Sequence, residues 1–121
     1  MSHPNPNLIT FKAGAAISRG MSLKIGADSS HVIKCAAATE KNIGLAYSDA
    51  TTAEDPVEVA LPGGGALGLL GGTVVAGDFL ASDAAGKLVA TTTANDDVVA
   101  QALEGGVVDT LISVNVMVFN Y

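Results

Sequence analysis

Few residues in this chain have the type and spacing for chemistry. The glycine-rich segment Pro62-Gly63-Gly64-Gly65-Ala66-Leu67-Gly68-Leu69-Leu70-Gly71-Gly72 looks at first like a phosphate-binding loop. Such a loop ends in Gly-Lys-Ser/Thr and opens a helix, whose first N–H groups and lysine hold the anion. Here no lysine lies between Lys41 and Lys87, and no helical periodicity follows. A dinucleotide fingerprint also needs a strand–turn–helix setting that is absent. The glycines therefore read as bends and close backbone approaches.

The metal and nucleophile readings fail in the same way. His3, His31 and Cys35 form no His-x-His or Cys-x-x-Cys pair of the kind zinc requires. His31 follows Ser29 and Ser30 in an expected hairpin loop, where nothing holds an acid behind the imidazole as a catalytic triad needs. Glu54-Asp55 and Asp96-Asp97 are sequence neighbours in polar stretches, not carboxylates facing each other across a cleft. They also lack the alternating Asp-x-Asp ligands of a calcium loop. No catalytic, cofactor-binding or metal-ligating residue is nominated, and the chain is expected not to be an enzyme.

Composition narrows the remaining choices. One domain is expected of 121 residues, and a chain of that length supports one hydrophobic core. Apolar residues make up 49% but aromatics only 4%, so the core must be built from Ala, Val, Leu and Ile and offers few large anchors for a ligand pocket. No apolar run approaches the roughly 20 residues that span a bilayer, and no membrane partner is expected. The polar start Met-Ser-His-Pro-Asn-Pro-Asn does not resemble a secretory signal. The single Cys35, in the apolar run Val32–Ala36, reads as a small buried hydrophobe in a protein made in a reducing cytoplasm. The net charge of −6 divides into +3 over residues 1–41 and −9 over residues 42–121. Without a run of Lys and Arg, such a chain is not expected to bind nucleic acid.

The elements that must position these residues read as strands. Short alternating or β-branched runs recur with turn residues between them: 8–13, 22–25, 32–35, 42–47, 57–61, 66–70, 78–82, 87–92, 98–103 and 111–119. Two pairs flank hairpin loops, at Gly26–Ser30 and at Asp83-Ala84-Ala85-Gly86, where Gly86 can adopt positive φ. The last run places Ile112, Val114, Val116 and Val118 on one face. An all-β fold follows, a small barrel or sandwich. The halves also align. Ile17, Gly20, Leu23 and Val32 fall on Val74, Gly77, Leu80 and Val89 at an offset of 57, and Val57, Val59 and Leu61 fall on Ile112, Val114 and Val116 at 55. Two similar β units, about 14–61 and 71–118, are expected within a single domain over 8–121. Residues 1–7, with two prolines and two asparagines, are expected to form a flexible arm. With no chemistry to place, function is expected at the arm, the loops 47–56 and 104–109, and the glycine segment.

The stretch Val75-Ala76-Gly77-Asp78-Phe79-Leu80-Ala81-Ser82-Asp83-Ala84-Ala85-Gly86-Lys87-Leu88-Val89-Ala90, followed by Val98-Val99-Ala100-Gln101-Ala102-Leu103-Glu104, resembles the signature of tailed-phage capsid decoration (cement) proteins. Ala100 stands where that family often has Gly. The resemblance implies a β-barrel or β-tulip-like domain that binds the major capsid protein on the outside of the mature head and stabilises it, commonly as a homotrimer. The protein would then be a virion component made in the host cytoplasm. In such proteins an N-terminal arm often runs along the capsid surface. That implies a contact segment of Pro4, Asn5, Pro6, Asn7, Leu8, Ile9, Thr10, Phe11 and Lys12, adding a strand to an exposed edge. The alternatives are another virion β module, of a tail or spike, and a β-clip-type enzyme domain.

Overall fold

A computed structural model describes residue 7 to residue 26 and residue 28 to residue 121; Pro4, Asn5 and Pro6 of the expected contact segment lie outside the described residues. Ten strands account for the regular structure: β1 Leu8–Ala13, β2 Ser22–Ile25, β3 His31–Lys34, β4 Gly44–Ala46, β5 Pro56–Ala60, β6 Gly65–Leu69, β7 Phe79–Ser82, β8 Leu88–Ala90, β9 Asp97–Ala102 and β10 Leu111–Asn120. The all-β expectation holds. The first five strands close into a barrel in the order β1-β3-β2-β4-β5, and the last five form a sheet in the order β6-β10-β9-β7-β8.

The two sheets share one topology. β1 and β6, β2 and β7, and β3 and β8 each begin 57 residues apart. In the first sheet β1 closes the ring by running antiparallel to β5 and parallel to β3. In the second, β6 runs antiparallel to β10, and a single parallel bridge, Leu70 to Leu88, stands where the β1–β3 ladder stands in the first. The loops correspond as well. Ile17 bridges Ala50 in one unit, and Val74 bridges Gly106 in the other.

A barrel of five strands is narrow, because interior width grows with strand number. That explains the small core side chains. β5 shows the alternation plainly: Val57 and Val59 are buried, while Pro56 and Glu58 are exposed. The first interior contains Ala13, Ile17, Leu23, Val32, Ala46, Ala50, Val57 and Val59. The second contains Leu70, Val74, Leu80, Leu88, Val99, Ile112, Val114 and Val116, and it also takes in Leu45 and Ala60 from the first unit. Successive residues on a strand face opposite ways. Ala46 and Val59 therefore fill the first barrel, while their neighbours Leu45 and Ala60 cross into the second core. The units are welded by the backs of β4 and β5.

One expected face is corrected. The β9–β10 register shifts between Val116 and Phe119, so Val116 lies opposite Ala100 but Phe119 lies opposite Val98. The extra residue on β10 is a bulge, which flips the alternation beyond it. Val118 thus leaves the buried face of Ile112, Val114 and Val116. Phe119 turns instead against Phe79, ring centroids 5.3 Å apart and nearly perpendicular, and the Tyr121 ring lies 6.2 Å from that of Phe79.

Candidate partner-binding surfaces

The expected contact segment is part of the barrel from Leu8 onward. Ile9 and Phe11 lie opposite Val59 and Val57 of β5, and the Asn7 carbonyl accepts the Leu61 N–H. The Asn7 side-chain amide also donates to the Pro62 carbonyl at 3.2 Å. β3 meets β1 only at Lys12 and Ala13. Since alternate residues address opposite neighbours, Leu8 and Thr10 aim their N–H and C=O groups away from β5, along an edge that β3 does not reach. Ile9, Thr10, Phe11 and Lys12 line a groove together with Ser29, Ser30, Glu54 and Pro56. Ile9 is 46% exposed. Segment 8–12 is therefore a fixed strand whose edge at Leu8 and Thr10 is unpaired among the described residues.

His31 contacts two residues of this groove, Ser30 and Glu54, a setting that the sequence does not reveal. It opens β3 and is clamped from both sides. Nδ1 lies 2.7 Å from Asp28 Oδ1, and Nε2 lies 2.9 Å from Glu54 Oε2. Two carboxylates facing the two ring nitrogens favour the imidazolium, which donates to both. The hydrogen bond to Asp28, then that to Glu54, raises the His31 pKa. The same contact, helped by Ser30, holds the Asp28 carboxyl well below the usual carboxylate range. Ser30 Oγ is 3.2 Å from Nδ1, but Asp28 shares that nitrogen and Glu54 occupies the other. The ring has no free lone pair for a hydroxyl proton, so the cluster is a clamp and not a nucleophile with its base. Glu54 reaches the ring from a backbone at φ 72°, a conformation that side chains other than glycine rarely adopt.

The sign of the pH effect follows. A raised folded-state pKa gives stability that is fully present below the unfolded value of about 6.5 and is lost as pH rises through the higher folded value. Asp28 acts oppositely: its contribution is present above its unfolded pKa and fades as pH falls through the depressed folded one. His31→Gln is therefore expected to lower the melting temperature most between those limits, in mildly acidic buffer. Above the folded-state His31 pKa, wild type and variant should converge; paired thermal melts across pH check this.

The other acids hold turns. Asp55 Oδ2 accepts from the Thr51 N–H, the Thr51 hydroxyl and the Thr52 N–H at 3.0–3.1 Å, and these bonds lower its pKa. Asp96 accepts from the Thr91 hydroxyl, and Asp97 accepts the Asn42 N–H at 2.9 Å across the two units. Cys35 is fully buried. Its thiol takes a hydrogen bond from Ser22, while burial pushes its pKa up.

The Gly-Asp…Ser-Asp…Gly-Lys signature also has a local physical account. Asp78 accepts the Val75 N–H at 3.0 Å and closes the turn that contains Gly77. Asp83 Oδ1 accepts the N–H groups of Ala85 and Lys87 at 2.8 and 2.9 Å, closing the β7–β8 hairpin. Gly86, at φ 82°, presents its carbonyl to the Ser22 N–H of the first unit at 2.9 Å. A side chain there would meet Lys34 Cβ at 3.0 Å and the Cys35 carbonyl at 3.2 Å. Lys87 Nζ pairs with Asp109 at 2.5 Å, which raises the lysine pKa. In this chain the signature hairpin seats the second unit on the first.

No family model matches the chain, and no curated protein matches it. Among solved structures there is a likeness. The chain shares its fold with the N base of the bacteriophage phi29 head fiber gp8.5. The two agree with a TM-score of 0.71 over 92% of this chain and 93% of that one, at 18% identity. At that identity the likeness is one of fold.

Proposed function

We propose that this chain is a structural protein of a tailed-phage head, a decoration or cement protein that binds the outer surface of the shell made by the major capsid protein and stabilises it. The observation that carries the reading is the fold shared, nearly end to end, with the base of a phage head fiber. The resemblance of residues 75–104 to the decoration signature supports it independently. The site chemistry is in keeping: the clustered His, Asp, Glu and Ser side chains are spent on clamps and turns. We assign the capsid contact to the segment Pro4–Lys12. The backbone edge at Leu8 and Thr10 would add to a capsid strand, and the apolar side chain of Leu8 would fill a pocket beside it. The protein would act as a homotrimer, because several modest contacts on one rigid body gain affinity through effective concentration. It would be made in the host cytoplasm and reside on the capsid surface.

The test is co-sedimentation with expanded, empty heads of the phage that encodes it. Saturable binding, and heads that rupture at higher temperature once coated, are expected. A truncation that removes residues 1–6, stopping short of β1, should weaken binding without lowering the melting temperature of the free protein. Unchanged occupancy would remove the leading residues from the contact, and absence of binding at every salt concentration would defeat the proposal.

A further inference from the structure

Each side of the joint between the two units has a counterpart in the other unit. In the joint, the turn of the first unit that contains Gly20 (φ 89°) lies flat on the second unit. The Leu69 N–H donates to the Gly20 carbonyl at 3.0 Å, and a side chain on Gly20 would strike the Leu69 amide at 2.5 Å and Leu111 Cδ2 at 2.9 Å. Gly86 completes the contact by accepting the Ser22 N–H. The second unit thus offers Leu69, Gly86 and Leu111, and the first unit receives them around Gly20 and Ser22.

Both surfaces recur in the other unit. Counted by the offsets that align the strands, Leu69, Gly86 and Leu111 correspond to Lys12, Ser29 and Pro56. All three line the groove of Ile9–Lys12. Gly20 and Ser22 correspond to Gly77 and Phe79. Gly77 has the same backbone, φ 94°, but a side chain there would meet none of the described residues within 4 Å. Among the described residues, the counterpart of the turn that docks internally is left undocked, and so is the groove formed by the counterparts of its seat.

The surroundings of these surfaces are apolar. Val75, in the Gly77 turn, is 62% exposed. The same turn leads into Phe79, which packs against Phe119 and Tyr121, and these are three of the five aromatic residues in the chain. The groove presents Ile9, Phe11 and Pro56. Isolated exposed apolar residues need no explanation, but two apolar surfaces at corresponding positions of a duplicated interface do.

We propose that copies of this chain associate head to tail, with the Val75–Phe79 turn of one copy seated in the Ile9–Lys12, Ser29 and Pro56 groove of the next. The contact repeats the internal joint between molecules. It departs from that joint at two polar groups: the Lys12 N–H is already bonded to the Ser30 carbonyl, and the Gly77 carbonyl already accepts from Gln101 Nε2. The intermolecular contact is therefore made by apolar side chains and by the Ser29 carbonyl, the counterpart of Gly86. Such an interface is heterologous, and it closes into a ring where the rotation allows. The inference deepens the self-association part of the reading above, and its test contains no capsid, so its failure is distinct from failure to bind heads.

The experiment is light scattering after size exclusion on wild type, Val75→Arg, Ile9→Arg and an equimolar mixture of the two variants. Both positions are exposed, so circular dichroism and melting should be preserved; Val75→Glu and Ile9→Glu replace any arginine variant that misfolds. Wild type should be oligomeric and each variant alone monomeric. The mixture should form a heterodimer, because an intact turn on the Ile9 variant meets an intact groove on the Val75 variant. A monomeric wild type, folded variants that keep the wild-type mass, or a mixture that stays monomeric would overturn the inference.

Discussion

Replacing Gly20 with alanine is expected to cost about 3 kcal/mol of stability, a large share of the roughly 5–15 kcal/mol that holds a domain of this kind together. Two effects combine. At φ 89° a Cβ carries a backbone penalty of about 1–2 kcal/mol. The new methyl would also stand 2.5 Å from the Leu69 amide nitrogen, which belongs to the main chain of the adjoining unit and cannot swing aside. Forced overpacking of that sort typically adds about 1–3 kcal/mol. Gly63→Ala is the matched control. Its φ of 98° brings the same backbone penalty, but none of the described residues lies within 4 Å of its added methyl. Urea unfolding of the two variants separates strain from collision. Equal losses would mean that the first unit does not rest on Leu69 as described.

The second large effect is expected at Leu45. This side chain is fully buried, but it packs among Leu80, Val99 and Val114 of the second unit and not inside its own barrel. Leu45→Ala should cost about 3 kcal/mol, within the roughly 2–5 kcal/mol usual for removing a buried leucine. Because the lost contacts bridge the units, the cooperativity of unfolding should suffer as well as the midpoint. A broader transition, or two transitions, would report a weakened joint. Ile25→Ala provides the comparison. Ile25 is 43% exposed at the end of β2, and its loss should cost well under 1 kcal/mol. Chemical denaturation followed by circular dichroism distinguishes the two. A Leu45 variant as stable as the Ile25 variant would contradict the shared core.

The strands were legible because their signals are local. Val57-Glu58-Val59 alternates, Asp83–Gly86 and Gly26–Ser30 are turn chemistry, and the span of each strand was readable to within about two residues. What escaped the sequence depends on contacts distant along the chain. The bulge between Val116 and Phe119 arises where β10 must pair with β9, and nothing in Val-Met-Val-Phe marks an extra residue. His31 was read as a loop residue beside two serines, and the meaningful neighbour, Glu54, lies 23 positions away. A partial signal was present there: Asp28 and Glu54 each fall in the turn just before a strand, β3 and β5.

The contact segment shows the same limit. Its alternating pattern identified Leu8–Ala13 as a strand, but periodicity does not say which neighbour a strand pairs with. The structure ties Leu8–Lys12 to β5 along one side, and on the other side β3 reaches only Lys12 among the described residues. The glycine segment behaved as physical chemistry requires. Gly68 lets Leu88 approach, since a Cβ there would come within 2.7 Å of Leu88 Cδ1, and no anion is needed to explain it. The signature hairpin proved informative in a second sense. Its Asp and Gly residues shape the turns that dock unit upon unit, so a family signature of this type can mark an internal joint as much as a capsid-facing surface.

Expanded empty heads of the encoding phage, incubated with the purified protein and imaged by electron cryo-microscopy, give the most direct test of the account. The account predicts added density on the outer surface, at symmetry-related positions, into which this ten-stranded fold fits with the β1 edge toward the shell. Heads that remain bare at saturating protein, or density confined to the tail, would contradict it.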